Sequence, residues 1–591
     1  MRPQSIAHLF FDACTRFDKP DAVLVKEKGV YGPYSHKFFR QRVSHFGRGL
    51  MGLGLKEGEH VAILAETRFE WAIADLGIIS AGGVDVPIYS TLTPDQVAWI
   101  LNNSESVAIV VSTRDQAEKV LSVKDQIPNV RFMIIMEEDG PDSFLSMRAV
   151  EYKGSCEDNE TAFIQRWQAR KKDDLLSILY TSGTTGNPKG VMLTHDNLIS
   201  NVMSCQSMMP CASDDTHLSH LPLCHVFERM GGYYNMLYHG VTIAYAEDIS
   251  TVAANIMEVK PTVLVSVPRL FEKIYAKVMI GAISSGFIKR TVFKWAMGIG
   301  KEAVPYFNKN EPLPGFLSKK WGIADTMVFS KVKEKTGGRL KFMISGGAPL
   351  APEIAELFLG MGLKMVEGYG LTETSPVLTI NPVSHNKPGT VGPPLPDVEI
   401  MIADDGEILA RGPNIMTGYF KNPEATAEVM EDGWFHTGDI GLLDQDGYLR
   451  ITDRKKDIIV TSGGKNIAPQ PLENALKLSS VIEQAVIIGD NRNFVSALIV
   501  PPWETIQDWA PGHQWPVTSE ELVAHDGFKK FMNKEINQCM ANFAHYEKVK
   551  KFEILAAPFT VETGELTPSM KVKRRVVNEK YQDVIDAIYA D

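Results

Sequence analysis

Four small hydroxyl residues, three glycines and one lysine fall within twelve positions of this sequence: Tyr180-Thr181-Ser182-Gly183-Thr184-Thr185-Gly186-Asn187-Pro188-Lys189-Gly190-Val191. Glycines let a backbone aim its N–H groups at an anion, hydroxyls add neutral donors and a lysine adds a point charge, so the stretch suits a polyphosphate. It is not a Walker A loop, which places Gly-Lys-Ser/Thr at the start of a helix. Here Lys189 lies between Pro188 and Gly190, and Pro188 opposes a helix. A plain Gly/Ser/Thr linker is the other reading, but apolar runs at 178–180 and 191–193 predict two buried strands joined by this loop. Other residues offer chemistry at less distinctive spacing. His217, His220, Cys224 and His225 lie close together yet match no standard zinc pattern. Lys571 opens a run with Lys573, Arg574 and Arg575 that on spacing alone reads as a solvated basic face. By the same standard Glu373 is a turn acid beside a helix N-terminus, Asp439 a turn residue after Thr437-Gly438, and Gly463-Gly464 a hairpin turn.

The elements that must position these residues follow an α/β rhythm. The pattern predicts a strand over 61–64, a helix over 68–80, a strand over 84–88 and another over 107–111. A helix start is marked by Thr93 as N-cap, Pro94 at the first helical position and Gln96 closing a capping box. A strand over 263–267 leads into a mostly helical stretch, 269–335. Within it Ile288, Val292, Trp295 and Ile299 form a stripe at helical spacing, with Lys289, Arg290 and Lys294 off it. Such a stripe ordinarily faces a core; the sharper alternative is a basic amphipathic helix against an anionic membrane surface. The α/β rhythm resumes from 341, and after Asn381 Pro, Gly and β-branched residues predict a β-rich subdomain over 380–453. Five consecutive charges, Asp453-Arg454-Lys455-Lys456-Asp457, mark a domain boundary, so we expect an N-terminal domain over 1–454 and a C-terminal one over 455–591.

Composition narrows the classes further. The 591 residues exceed a single core and call for three or four structural units. A formal net charge of -11 argues against nucleic acid as a partner. Six scattered cysteines suit reduced thiols, no run approaches 18 apolar residues, and the first residues lack the order of a signal peptide, so the expected location is the cytoplasm.

The hydroxyl-glycine loop, Gly368-Tyr369-Gly370-Leu371-Thr372-Glu373, Gly433-Trp434-Phe435-His436-Thr437-Gly438-Asp439 and the charged run at 453–457 occur in series, and nearly the whole chain resembles the adenylate-forming superfamily of acyl-CoA synthetases, beetle luciferases and nonribosomal peptide adenylation domains. His225-Val226-Phe227-Glu228-Arg229 and Gly564-Glu565-Leu566-Thr567-Pro568-Ser569-Met570-Lys571 resemble the long-chain fatty acid-CoA ligase branch, with Met570 where many relatives have glycine. The resemblance implies a large N-terminal domain of layered α/β subdomains plus the β-rich one, and a small mobile α+β C-terminal domain. It implies ATP, Mg²⁺ and coenzyme A: a fatty acid carboxylate attacks the α-phosphate of ATP, and coenzyme A then displaces AMP. Lys571 would bridge carboxylate and α-phosphate, Thr372 would bond that phosphate, and Glu373 would hold Mg²⁺. Thr181, Ser182, Gly183, Thr184, Thr185, Gly186 and Lys189 would cradle pyrophosphate. Gly346, Gly347 and Ala348, with Gly368, Tyr369 and Gly370, would form the adenine surface, and Asp439 and Arg454 would bind the ribose. Lys456 would be the hinge of C-terminal rotation, Gly463 and Gly464 would line the pantetheine tunnel, and His225 would gate the acyl site. The Met and Tyr residues that follow it, Met230, Tyr233, Tyr234 and Met236, read either as acyl-tunnel lining or as core.

Alternatives within the resemblance are a fatty acyl-AMP ligase that loads a carrier protein, a medium-chain acyl-CoA synthetase, and luciferase-like oxygenation. A non-catalytic nucleotide-binding regulator should have lost Lys571 or Glu373, and both are present. Expected partners are small molecules, with room for a peripheral contact at the inner face of a membrane and for either a monomer or a homodimer.

Overall fold

The computed structural model describes residues 2–181, 188–283, 286–567 and 571–590. Two eight-stranded sheets carry the larger part of the chain. One runs, edge to edge, Val377–Ile380, Lys364–Gly370, Phe342–Ser345, Val263–Ser266, Thr216–Ser219, Thr242–Tyr245, Val23–Glu27 and Val30–Tyr34, parallel inside and antiparallel at both ends. The other runs Gly418–Tyr419, Lys189–Thr194, Leu175–Thr181, Val84–Ile88, His60–Leu64, Ala108–Val111, Phe132–Ile135 and Leu145–Ser146. Its parallel part is the alternating strand-helix rhythm of the sequence, and the Thr93/Gln96 capping box closes as expected.

Successive side chains of a strand point to opposite faces, and here both faces are covered. Val61 and Ile63 enter the main core with Val263 and Val265 of the other sheet, while Ala62 and Leu64 pack with Ile100, Leu101 and Ile109 on the outer side. The helix Phe69–Ser80 is buried all round within the main core. Its one acidic residue past the first turn, Asp75, therefore needs a partner inside the protein.

An antiparallel sheet of Glu399–Ile402, Glu407–Arg411, Trp434–Leu443, Met430–Glu431 and Leu449–Arg454 lies between these layers and the C-terminal residues. Beyond it, Gln484–Ile488, Ser496–Val500 and Lys551–Ile554 form a three-stranded sheet with its own apolar clusters and flanking helices. This C-terminal lobe touches the larger one through Lys477 Nζ to Glu272 at 3.2 Å and Arg269 to Glu483 at 3.2 Å.

The helical stretch after Ser266 resolves into Pro268–Ile283, Phe287–Asn308 and Gly315–Ala324, the last continuing through Asp325–Phe329 and Ser330–Glu334. The expectation that its apolar stripe faces a core holds only toward one end. Ile299 is buried and Val292 half-buried, whereas Ile288 and Trp295 are exposed.

Candidate active site

The proposed phosphate loop springs from a hairpin. Leu175–Thr181 and Lys189–Thr194 pair antiparallel, with Thr181 opposite Lys189. Of the loop itself, Ser182, Gly183, Thr184, Thr185, Gly186 and Asn187 lie outside the described residues, as do Pro568, Ser569 and Met570 before Lys571. The hairpin aims Lys189 at the ring of Tyr419, with Nζ 5.0 Å from its centroid. The Tyr419 hydroxyl donates to Glu373 Oε1 at 2.9 Å, and the amide of Met416 donates to the Glu373 carbonyl at 2.8 Å. The loop stem and Glu373 are thus fixed through one tyrosine that the sequence alone did not single out.

Glu373 belongs to the short turn Thr372–Thr374 after the strand Lys364–Gly370. Glycine at 370 is a steric necessity, because a Cβ there would lie 1.7 Å from the Pro376 carbonyl oxygen. In the same strand the Tyr369 hydroxyl donates to Asp439 Oδ2 at 2.7 Å. Asp439 and Arg454 face each other across the antiparallel pair Trp434–Leu443 and Leu449–Arg454, and Arg454 Nε lies 3.5 Å from Asp439 Oδ1. Burial raises the Asp439 carboxyl above the usual carboxylate range, opposed by Arg454, Tyr369, Lys571 and Lys456.

Gly346, Gly347 and Ala348 follow the strand Phe342–Ser345. Gly346 is buried against Phe227, whose ring would be 2.7 Å from an added Cβ, while Gly347, at φ +79°, and Ala348 are exposed. Such a turn offers bare backbone to a flat group.

The C-terminal lobe delivers Lys571. Its amide donates to Thr567 Oγ1 at 3.0 Å, its carbonyl accepts from the Thr567 amide at 2.8 Å, and Leu566 bridges to Val572. The partly buried lysine so held lies among groups of the larger lobe. Burial and then Arg454 push the Lys571 ammonium down to about 8, with Asp439 and Glu373 holding it up and Lys456 opposing them. Lys456 is lowered by burial and by Arg454. His225 is pushed down to about 4 by burial and by Lys571, so it is neutral at neutral pH. Lys571, Lys456, Arg454, Asp439, Glu373 and His225 therefore share one electrostatic neighbourhood. Gly463 and Gly464 are not part of it: they sit in an exposed turn between Ile459–Val460 and Asn466–Ile467, beside Arg492 and Asn493.

A neighbourhood with three cations, two of them lysines whose charged forms burial disfavours, suits a polyanion that would stabilise those charges. Glu373 and Asp439 are its carboxylates, and among the described residues no three His, Cys, Asp or Glu side chains cluster as a metal site. That fits Mg²⁺, which is held by one or two carboxylates together with substrate phosphates. A cavity of about 350 Å³ lined by Glu373, Glu407, Tyr419, His436, Thr437 and Lys455 opens beside it.

The histidines before this site have other duties. His217 Nε2 lies 3.2 Å from Glu228, and His220 Nε2 lies 3.0 Å from Ser266 Oγ. Met230, Tyr233, Tyr234 and Met236, expected either to line an acyl tunnel or to be core, are all buried in the main apolar cluster.

The most consequential roles that sequence reasoning missed are those of Glu228 and Arg229, next to His225. Glu228 accepts from Ser219 Oγ at 2.6 Å on one sheet, and Arg229 reaches the other, donating to Ser177 Oγ at 2.8 Å and lying 2.8 Å from Asp85. Arg229 also donates to Asp75 at 2.6 Å and to the Tyr234 hydroxyl at 3.0 Å. These groups are wholly buried, and the seven residues Glu228–Tyr234 adopt the rare wide π-helical turn often found at functional sites. The dipeptide ties both sheets together immediately after Phe227 in the chain. A charged residue inside an otherwise apolar helix, Asp75, and another inside an apolar strand, Asp85, were the signals available.

Residues 11–420 match the family model of AMP-binding enzymes, and residues 456–591 match that of the AMP-binding enzyme C-terminal domain. The chain is 37% identical over 583 residues to the long-chain-fatty-acid–CoA ligase FadD15 of Mycobacterium tuberculosis, covering 97% of this chain and 95% of that one. It is 33% identical to the peroxisomal long chain acyl-CoA synthetase 7 of Arabidopsis thaliana, covering 96% and 83%. The adenylation domain of a carboxylate reductase from Mycobacterium chelonae superposes with a TM-score of 0.76 at 22% identity over 99% and 91% of the two chains, a likeness of fold. With both family models matched in sequence and the two lobes meeting where Lys571 faces Asp439, Arg454 and Glu373, the chain belongs to the AMP-binding enzyme family.

Proposed function

We propose that this protein activates a long-chain fatty acid with ATP, releasing pyrophosphate to give an acyl-adenylate, and then transfers the acyl group to coenzyme A. A carboxylate oxygen bonds to the α-phosphorus while the bond to pyrophosphate breaks; the thiol sulfur then bonds to the acyl carbon as AMP leaves. The observation that carries this reading is Lys571: one lobe presents its ammonium to the carboxylates and guanidinium of the other, in a buried setting where an arriving anion would stabilise its charged form. Phosphoryl transfer asks the protein mainly for positioning and charge stabilisation, which such a cation supplies.

In this reading Lys571 bridges the fatty acid carboxylate and the α-phosphate, and Thr372 hydrogen-bonds the same phosphate. Thr181, Lys189 and the loop between them hold the pyrophosphate end, with Tyr419 tying Lys189 to Glu373. Gly346, Gly347, Ala348 and the Gly368-Tyr369-Gly370 strand take adenine. Asp439 accepts the ribose hydroxyls, kept in place by Tyr369 and Arg454. Neutral His225, with Tyr89 at a ring distance of 6.5 Å, borders the acyl entrance. Mg²⁺, held by Glu373, would neutralise phosphate charge. A domain boundary at the charged run, with Lys456 at the hinge, would let the lobe of 455–591 withdraw Lys571 and bring Gly463 and Gly464 to the pantetheine arm for the second step. The relatives named long-chain acyl-CoA ligases support the acyl class. We place the enzyme in the cytoplasm, drawing substrate at the inner face of the membrane.

The test is pyrophosphate release from ATP and Mg²⁺ across fatty acids from short to very long, with and without coenzyme A. Release with long chains, and thioester formed only when coenzyme A is present, is the expected result. Release without any acid, or transfer to a carrier protein but not to coenzyme A, would overturn the proposal.

A further inference from the structure

The helix Phe287–Asn308 changes character along its length. Its second half is seated: Ala296, Ile299, Gly300, Ala303 and Val304 are buried, and Gly300 packs so closely on Gly360 that a Cβ would meet its backbone at 3.3 Å. Its first turns are not. Phe287 is 85% exposed, Ile288 78% and Trp295 39%. The chain then returns antiparallel as Gly315–Ala324 and Asp325–Phe329, with Phe307 against Trp321 at 5.5 Å. This return presents a second bare stripe at i, i+7 and i+11: Phe316 at 73%, Ile323 at 54% and Met327 at 45% exposure. Lys319, Gly322, Ile323, Thr326 and Met327 line a shallow, mostly apolar cleft of about 570 Å³. Two ridges of large apolar side chains on one helical hairpin exceed the scattered exposed residues normal for a monomer surface.

Their charge environment selects a partner. Residues 287–335 hold ten lysines and arginines against four acids, a local +6 in a chain of net -11. Lys289, Arg290 and Lys294 sit beside the first ridge, and Lys319 and Lys320 beside the second. Among the described residues none of these five makes an ion pair, whereas Lys333 is paired with Asp325. Lys320 lies 4.5 Å over the Phe316 ring, its charged end free to reach outward as the stem covers apolar surface. A second copy of this chain would bring positive charge against positive charge in a self-matching contact. Aromatic and aliphatic ridges flanked by unpaired lysines instead match the interface of an anionic bilayer, where rings and aliphatic tips enter the headgroup boundary and ammonium groups meet phosphates.

We propose that the hairpin of Phe287–Asn308 and Gly315–Phe329 is the surface by which this protein docks on anionic phospholipid membranes. No helix among the described residues is long and apolar enough to cross a membrane, so docking is peripheral. The inference rests on the fatty-acid reading above only for its purpose, capture of an acid that partitions into bilayers.

The full chain is floated with vesicles of phosphatidylcholine alone and with one quarter phosphatidylglycerol, at 0.1 M and 0.5 M salt. Binding to the anionic vesicles, weakened at least tenfold by the higher salt, is expected. At roughly fivefold in affinity per juxtamembrane basic residue, K289E/R290E/K294E should lose 100-fold or more. F287S/I288S, both exposed side chains, should lose about tenfold or more with an unchanged thermal midpoint. K171E/K172E, an exposed basic pair elsewhere, should bind as wild type. Equal binding to neutral and anionic vesicles, or unaltered binding by the hairpin variants, overturns the proposal. So does a dimer that F287S/I288S converts to a monomer without any vesicle binding. Acyl-CoA synthesis measured in parallel without vesicles separates the two claims: activity without binding sinks this one alone, and binding without activity sinks the catalytic reading alone.

Discussion

Lys571 should give the adenylation step an alkaline limit far below that of an ordinary lysine. Burial and Arg454 bring its ammonium from 10.5 down to about 8. At 1.36 kcal/mol per pH unit, the site disfavours the charged form by up to about 3 kcal/mol before substrate binds. At pH 9 about one tenth of the free enzyme then carries a charged Lys571, against nearly all of it for an unperturbed lysine. Since kcat/KM reports groups of the free enzyme, kcat/KM for ATP should fall about tenfold per pH unit above pH 8. The assay is fatty-acid-dependent ATP–pyrophosphate exchange from pH 6 to 10. Neighbouring charges set the direction of further shifts: Asp439→Asn, which removes a carboxylate that stabilises the ammonium, should move the limit to lower pH, and Arg454→Gln should move it higher. Lys571→Ala should lose exchange by roughly 10² to 10³, the scale of one transition-state charge contact, and should lose the limit with it. Linkage provides the control. The unfolded chain keeps this proton up to 10.5 and the folded one only to about 8, so stability gained through this group grows with pH between those values. The Ala variant should therefore unfold at no lower temperature than wild type at pH 7. A flat profile to pH 10, or a variant within tenfold of wild type, would refute the assignment of Lys571.

Glu373→Gln keeps the Tyr419 contact but removes the charge; exchange should fall by roughly 10² or more and be only partly recovered by raising Mg²⁺, read as activity against metal concentration. Tyr369→Phe deletes a donor to a buried carboxylate, about 1–2 kcal/mol, and should raise KM for ATP about tenfold with little change in kcat. Arg229→Met leaves Asp75 and Asp85 buried without their cation and should cost about 3–5 kcal/mol in thermal or urea unfolding, while adding Asp75→Asn and Asp85→Asn to it should restore most of the loss.

Much of the architecture was legible because its signals are local. The strand at 61–64 is apolar at every position since both its faces are covered, and the Thr93/Gln96 cap is a contact between residues three apart. The stripe at 288–299 shows where periodicity stops informing: helical spacing places Ile288 and Ile299 on one face but says nothing of where the supporting layer ends. That layer ends near Ala296, the first buried residue of Phe287–Asn308, and the close packing on the helix Pro352–Gly360 comes at Gly300.

The candidate site shows the same division on a larger scale. Glu373, Asp439 and Lys571 were found through series of motifs, but what makes them a site is long-range. Asp439 depends on Tyr369, 70 residues away, and Glu373 on Tyr419, 46 residues away. Neither tyrosine pairing has a spacing signature, because each is created by strands meeting from different parts of the chain. Buried charge is the exception worth reading. An aspartate cannot lie inside an apolar helix or strand without a cation, so Asp75 and Asp85 each demanded a partner, and the one arginine in the Glu228–Tyr234 turn answers both. Its cost is borne at the junction of two sheets, next in the chain to Phe227, which packs on Gly346, and to His225, which feels the charge of Lys571. A surface assembled from two sheets and a second lobe needs a reference point, and a wholly buried guanidinium bonded to Asp75, Ser177 and Tyr234 and ion-paired with Asp85 ties these segments together.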